Sequence, residues 1–275
     1  MKKLSITTTI DSDKKPTVLE VLGALSDLPP ERIEDALAKG ALLLRRKGRR
    51  RERLRDPSTV LRRGDRLEFH YNEGLLARVP PAAELVDDRG RYSVWYKPPG
   101  LMTQGTREGD HCSLLRRVEL FFDPPRPDHP VHRLDRETGG LLIVAHDRPA
   151  AAAFSKLIQT GGLEKGYLAE VRGKPGKPGE LRRVDFPLDG RRAATVFRVL
   201  AYDEQTDIAR VAASIETGRL HQIRRHLAMI GHPIIGDPRY GRRNKNREGL
   251  RLEACSLRFI CPFTGEKRNY FLSRL

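Results

Sequence analysis

Residues 141–145, Leu-Leu-Ile-Val-Ala, form an unbroken apolar run directly after Thr138-Gly139-Gly140. Such a run reads as a buried strand, and a buried strand demands a sheet around it. A polar cluster stands immediately before it: His132, Arg133, Asp135, Arg136 and Glu137. The glycines permit a tight turn or a close backbone approach. A charged loop fixed on a rigid strand is a common way to build an active site. An Asp–Arg ion pair closing a strand end would carry the same local pattern.

Other elements follow from spacing. Residues 17–25 place Val18, Val21, Leu22 and Leu25 at helical intervals, and Pro29-Pro30 ends the pattern. Residues 31–39 predict a second short helix stopped by Gly40. Residues 41–44 suit a strand. Eight of the eleven residues from 45 to 55 are basic, with Gly48 as a turn. Gly64-Asp65 gives another turn before the alternating strand 67–71. Residues 1–73 therefore form a small α/β module, residues 74–83 with Pro80-Pro81 a linker, and residues 84–275 a larger domain. In that domain, strands are predicted over 92–96, 141–145, 167–171 and 211–215. Helices are predicted over 113–122, 150–158 and 220–230. Irregular connections rather than βαβ units join them, which implies an α+β fold with a mixed, mostly antiparallel sheet.

The charge narrows the partner. Lys plus Arg is 52 against 36 Asp plus Glu, a formal net charge of +16. An excess of this size repels itself in a compact chain and answers to a polyanion. Arginine dominates, which suits bidentate phosphate contacts and stacking on bases. An anionic membrane surface is the competitor, but no basic amphipathic helix with an exposed aromatic face supports it. No run approaches the ~20 apolar residues of a membrane span, and no apolar leader core precedes Asp11. The expectation is a cytoplasmic, monomeric protein. Its three cysteines form no CxxC pair, so neither a disulfide framework nor a zinc site is signalled.

A second polar cluster spans residues 216–227. Arg219, Gln222 and His226 are spaced to share one helix face. Arg219 in a first helical turn is unfavourable against the helix dipole unless an anion faces it. His221 and His226 are five residues apart, not the four of a helical metal pair, so no metal is expected.

These blocks resemble the RluA-type pseudouridine synthases. The resemblance is carried by His132-Arg133-Leu134-Asp135 with Thr138-Gly139-Gly140, by Tyr96-Lys97-Pro98-Pro99-Gly100, by Lys165-Gly166-Tyr167-Leu168-Ala169, and by Gly218-Arg219-Leu220-His221-Gln222-Ile223-Arg224 with His232-Pro233-Ile234-Ile235-Gly236-Asp237. The first 73 residues are similar to the small RNA-binding module of the ribosomal-protein-S-four type, although the usual Asn-Gly hairpin turn is replaced by arginines. The resemblance implies Asp135 as the catalytic carboxylate, Tyr167 as the ring that stacks on the target base, and Arg219 as the cation paired with Asp135. It also implies Arg133 as the residue entering the RNA where uridine is flipped out. His132 and Lys97 are expected to contact the RNA, as are Arg46, Arg49 and Arg50 of the basic segment.

The chemistry suits such groups. Uridine to pseudouridine is an isomerisation, so no cofactor is required. A carboxylate can serve as nucleophile or as base toward the sugar. A nearby cation keeps it ionised, and an aromatic platform holds the detached base. The substrate is expected to be ribosomal RNA or tRNA. A non-catalytic RNA-binding or ribosome-assembly factor with the same fold is the alternative. A glycosidase would need a carboxylate pair, for which Glu137 is the one nearby partner.

Overall fold

The computed structural model describes residues 1–241 and 249–272. The chain divides into two compact units, Met1–Pro81 with Gln104–Asp123, and Ala82–Thr103 with Pro124–Leu275.

The first unit contains β1 (Lys3–Thr9), α1 (Val18–Leu25), α2 (Pro30–Ala38), β2 (Leu42–Arg45), β3 (Glu52–Arg53), β4 (Arg66–Asn72), the single turn α3 (Glu73–Leu76) and α4 (Leu114–Phe121). The strands form an antiparallel sheet in the order β1-β4-β2-β3. Thr17 starts α1 with a capping box: its hydroxyl accepts from Glu20 N–H, and the Glu20 carboxylate accepts from Thr17 N–H at 2.8 Å. Val18 and Leu22 of α1 and Ile33 and Leu37 of α2 pack with Leu42, Leu44, Leu67 and Phe69 of the sheet.

Residues 104–123, expected in the larger domain, cluster instead with this unit. Asp110 explains part of the attachment. Its Oδ2 lies 3.0 Å from Arg53 Nε and 2.7 Å from Arg55 Nη2, and its N–H donates to Lys39 O at 3.0 Å. Two arginines of the basic segment are thus spent on internal structure.

The second unit is built on one large sheet. Its strands are β5 (Glu84–Asp88), β6 (Tyr92–Lys97), β7 (His129–Pro130), β8 (Gly139–Ala145), β9 (Leu163–Arg172), β10 (Leu181–Val184), β11 (Thr195–Asp203), β12 (Ile208–Ile215), β13 (Leu252–Ile260) and β14 (Lys267–Phe271). The main order is β10-β11-β12-β9-β13-β8-β6-β5, with β14 on β13 and β7 on β8. Pairing is antiparallel except between β8 and β13, so the fold is the mixed, mostly antiparallel α+β arrangement. Helices α5 (Arg148–Gln159) and α6 (Gln222–Met229) complete it.

All seven residues of β8 are buried, as the apolar run requires. On one face Tyr92, Leu141, Ile143, Leu163, Leu257 and Phe259 meet Phe154 of α5. Gly140 makes the parallel pairing possible. Its φ is +129°, and a Cβ there would stand 2.6 Å from the Cβ and N of Ala254 on β13.

Candidate active site

The loop between β7 and β8 presents Asp135 and is fastened on both sides of it. Upstream, the Thr103 hydroxyl accepts from Leu134 N–H at 3.1 Å and donates to Leu134 O at 2.9 Å. Downstream, Arg136 O accepts from Gly100 N–H at 2.7 Å and from Lys97 Nζ at 3.4 Å. Lys97 also donates to Leu101 O at 2.7 Å and Pro98 O at 3.2 Å.

Lys97 is therefore a fully buried clamp for two loops and not the RNA contact expected of it. Burial lowers its pKa to about 7, against the opposing pull of Asp135 and Glu137. His132 is also turned inward. Its Nε2 accepts from Ile143 N–H of β8 at 3.3 Å, and burial lowers its pKa to about 3. It anchors the loop as a neutral ring, which corrects the expectation of an RNA ligand. Arg133 alone of this expected trio is exposed.

The Asp135 side chain is 21% exposed, and its Oδ2 accepts from Arg224 Nη1 at 3.1 Å. The cation is thus Arg224 and not Arg219. The reason lies in where the helix begins. α6 starts at Gln222, with His221 in a left-handed conformation before it, so Arg219 precedes the helix. Its Nε donates to Arg192 O at 3.0 Å, and its N–H donates to Gln222 Oε1 at 3.0 Å. Gln222 and His226 face Ala194, Thr195 and Phe186 and hold the helix to the sheet. Arg224 points away from them.

Arg224 is 2% exposed and is seated by a second, fully buried carboxylate. Asp237 accepts from its Nε at 2.8 Å and from its Nη2 at 3.0 Å, a bidentate fork. Asp237 also accepts from the N–H groups of Arg239 and Tyr240 at 2.8 and 3.0 Å. Burial disfavours the Arg224 charge, but Asp237 and then Asp135 hold its pKa above the ordinary value. Burial likewise works against ionised Asp237, yet Arg224 and the two backbone donors pull its pKa down. Glu137 lies 3.6 Å from Arg224 Nη1 and 3.0 Å from Arg136. It therefore shares Arg224 Nη1 with Asp135 while pairing also with Arg136.

Tyr167 lies on β9 between Ala213 of β12 and Ala254 of β13. Small neighbours on both strands leave room for its ring. Burial, and next the charge of Asp135, raise its phenol pKa well above the usual tyrosine value. The hydroxyl is accordingly protonated at neutral pH.

The structure thus brings Asp135, Tyr167 and Arg224 together, with Lys97 and His132 supporting the loop. In the first unit, Arg49 and Arg50 are exposed, whereas Arg46 is half-buried with Nε 3.7 Å from Asp65. Among the described residues no group of three or more potential metal ligands gathers, and no helix is long and apolar enough to cross a membrane.

A carboxylate that accepts from a buried arginine, near a protonated tyrosine, can attack or deprotonate a sugar while an aromatic ring supports the freed base. Residues 91–229 match the family model for RNA pseudouridylate synthase, and the chain belongs to that family. It is 38% identical over 164 residues to ribosomal large subunit pseudouridine synthase D of Nitrosomonas europaea, covering 53% of this chain and 46% of that one. It is 35% identical over 210 residues to tRNA pseudouridine synthase C of Haemophilus ducreyi, covering 62% and 82%. Human RNA pseudouridylate synthase domain containing 1 shares the fold, with a TM-score of 0.59 and 22% identity over 71% of this chain and 86% of that one. The protein is an RNA pseudouridine synthase, an enzyme that isomerises uridine to pseudouridine in RNA.

Proposed function

We propose that Asp135 is the catalytic carboxylate, that Arg224 orients it, and that Tyr167 stacks on a flipped uracil. The observation that carries this reading is the linked set Asp135–Arg224–Asp237, in which a buried arginine spans an outward and an inward carboxylate. The outward one is partly exposed and available to react, while the inward one holds the arginine by its Nε and Nη2. The protonated Tyr167 supports the base as a platform. Arg133, which is exposed, is the residue proposed to enter the RNA where the uridine leaves its stack, a step costing a few kcal/mol.

The substrate proposed is structured large-subunit ribosomal RNA. One relative carries that substrate in its name, and the basic first unit offers exposed Arg49 and Arg50 as phosphate contacts. The second reading is tRNA, favoured by the relative of which the chain spans 82%. Pseudouridine mapping across all cellular RNA, with and without the gene, separates the two. Loss of a site in large-subunit RNA supports the first reading, and loss of a site confined to tRNA replaces it with the second. An unchanged map contradicts both.

A further inference from the structure

His221 has no place in the roles given so far. It is one of four described non-glycine residues with positive φ, an unfavourable backbone for a side chain bearing a Cβ and one that gathers at functional sites. Its Nε2 lies 3.7 Å from Asp135 Oδ1, the oxygen that Arg224 leaves unpaired. Its Nδ1 lies 3.0 Å from the Tyr240 hydroxyl, and the two rings meet edge to face with centroids 5.7 Å apart. Tyr240 is held in turn by Asp237, which accepts its N–H at 3.0 Å. The carboxylate that seats Arg224 therefore also seats the tyrosine that orients His221.

Electrostatics selects the tautomer. A neutral imidazole carries one N–H. A lone pair on Nε2 would repel the carboxylate it faces, whereas Nε2–H attracts it. Tyr240 can donate its hydroxyl proton to Nδ1 and leave Nε2–H for Asp135. The charged and titratable groups facing the ring are Asp135 and Glu137 from the loop, Arg224 from α6, and Arg239 and Tyr240 from the segment after it. Burial is the largest influence on the ring and disfavours its charged form. The 3.7 Å separation exceeds a hydrogen bond, and such contacts tighten when substrate is bound.

We propose that His221, oriented by Tyr240, is a positioning residue that supplies the second donor to Asp135 and fixes its carboxylate plane when uridine is bound. The inference rests on Asp135 being the catalytic carboxylate. Protonation of His221 would set a full positive charge against Oδ1 and blunt the carboxylate toward the sugar. The rate should therefore carry an acid limb that belongs to His221.

The test is single-turnover pseudouridine formation by the full chain from pH 5 to 8, on total RNA from cells lacking the gene. The variants are His221→Ala, His221→Gln, Tyr240→Phe and Asp135→Asn, each checked for thermal melting and RNA binding. His221→Ala should slow the reaction about 10- to 100-fold, the scale of a misplaced catalytic group. His221→Gln, whose amide reaches the Nε2 position, should restore most of the rate and flatten the acid limb. Tyr240→Phe removes the donor to Nδ1 and should move the acid limb to higher pH. A wild-type rate and acid limb in His221→Ala overturn the proposal, as does a loss that glutamine fails to restore. If His221→Ala does not fold, Tyr240→Phe decides, and an unmoved acid limb overturns the proposal. Activity in Asp135→Asn would sink the carboxylate reading itself. An inactive Asp135→Asn beside an unchanged His221→Ala sinks this inference alone.

Discussion

Two arginines five residues apart, Arg219 and Arg224, have opposite fates, and the difference is testable. Arg219→Ala removes a donor to a backbone carbonyl and should leave the single-turnover rate within about threefold, as for a surface change. Arg224→Lys keeps the charge but loses the fork to Asp237 and should slow the reaction about 100-fold. Arg224→Ala strands buried Asp237 and should cost about 3–5 kcal/mol of stability in denaturant melts. The sequence displays both arginines in one recognisable block. Choosing between them requires knowing that the helix begins at Gln222 and that Asp237, thirteen residues beyond Arg224, folds back beneath it. Composition and local spacing cannot supply such a tertiary partner. His132 is a similar case, since nothing local separates a histidine facing RNA from one under a loop. Its pKa of about 3 in the fold lies below the 6.5 of a free ring. Between those values the unfolded chain binds a proton that the folded chain refuses, so this residue's contribution to stability is complete above pH 6.5 and declines as pH falls toward 3. Its slope reaches about 1.4 kcal/mol per pH unit. Replacing His132 with Asn should flatten that portion of the stability profile, as read by chemical denaturation at successive pH values.

At the level of elements, β8 was legible because an unbroken apolar run has few other uses, and α1, α2, α4 and α5 fall within two residues of their expected spans. Strands β1, β5, β7, β10, β11, β13 and β14 were not anticipated. β1 shows why: it exposes alternate side chains and contains Thr7, Thr8 and Thr9, so its apolar signal is thin and its pairing with β4 is supplied by the sheet. The parallel contact of β8 with β13 joins residues more than a hundred positions apart, a pairing no local pattern announces. Gly140 is its sensitive point. Gly140→Ala forces a Cβ against β13 at a positive φ and should destabilise by about 2–4 kcal/mol, seen as a lowered denaturation midpoint with activity lost in parallel.

Over the whole molecule, the net charge of +16 pointed correctly to a nucleic-acid partner but overstated how much of it is available. Arg53 and Arg55 are committed to Asp110, and Arg51 to Glu68 at 3.0 Å. Arg49 and Arg50 remain exposed. Replacing both with Ala should weaken RNA binding and reduce the slope of log affinity against log salt by about 1.5, with the single-turnover rate at saturating enzyme unchanged. Catalysis is assigned to the carboxylate of the β7–β8 loop. Its most direct measurement is pseudouridine formed by purified Asp135→Asn at saturating RNA, with binding followed in the same samples. Undiminished binding with no detectable product is the predicted result. Product at the wild-type level would contradict the role assigned to Asp135.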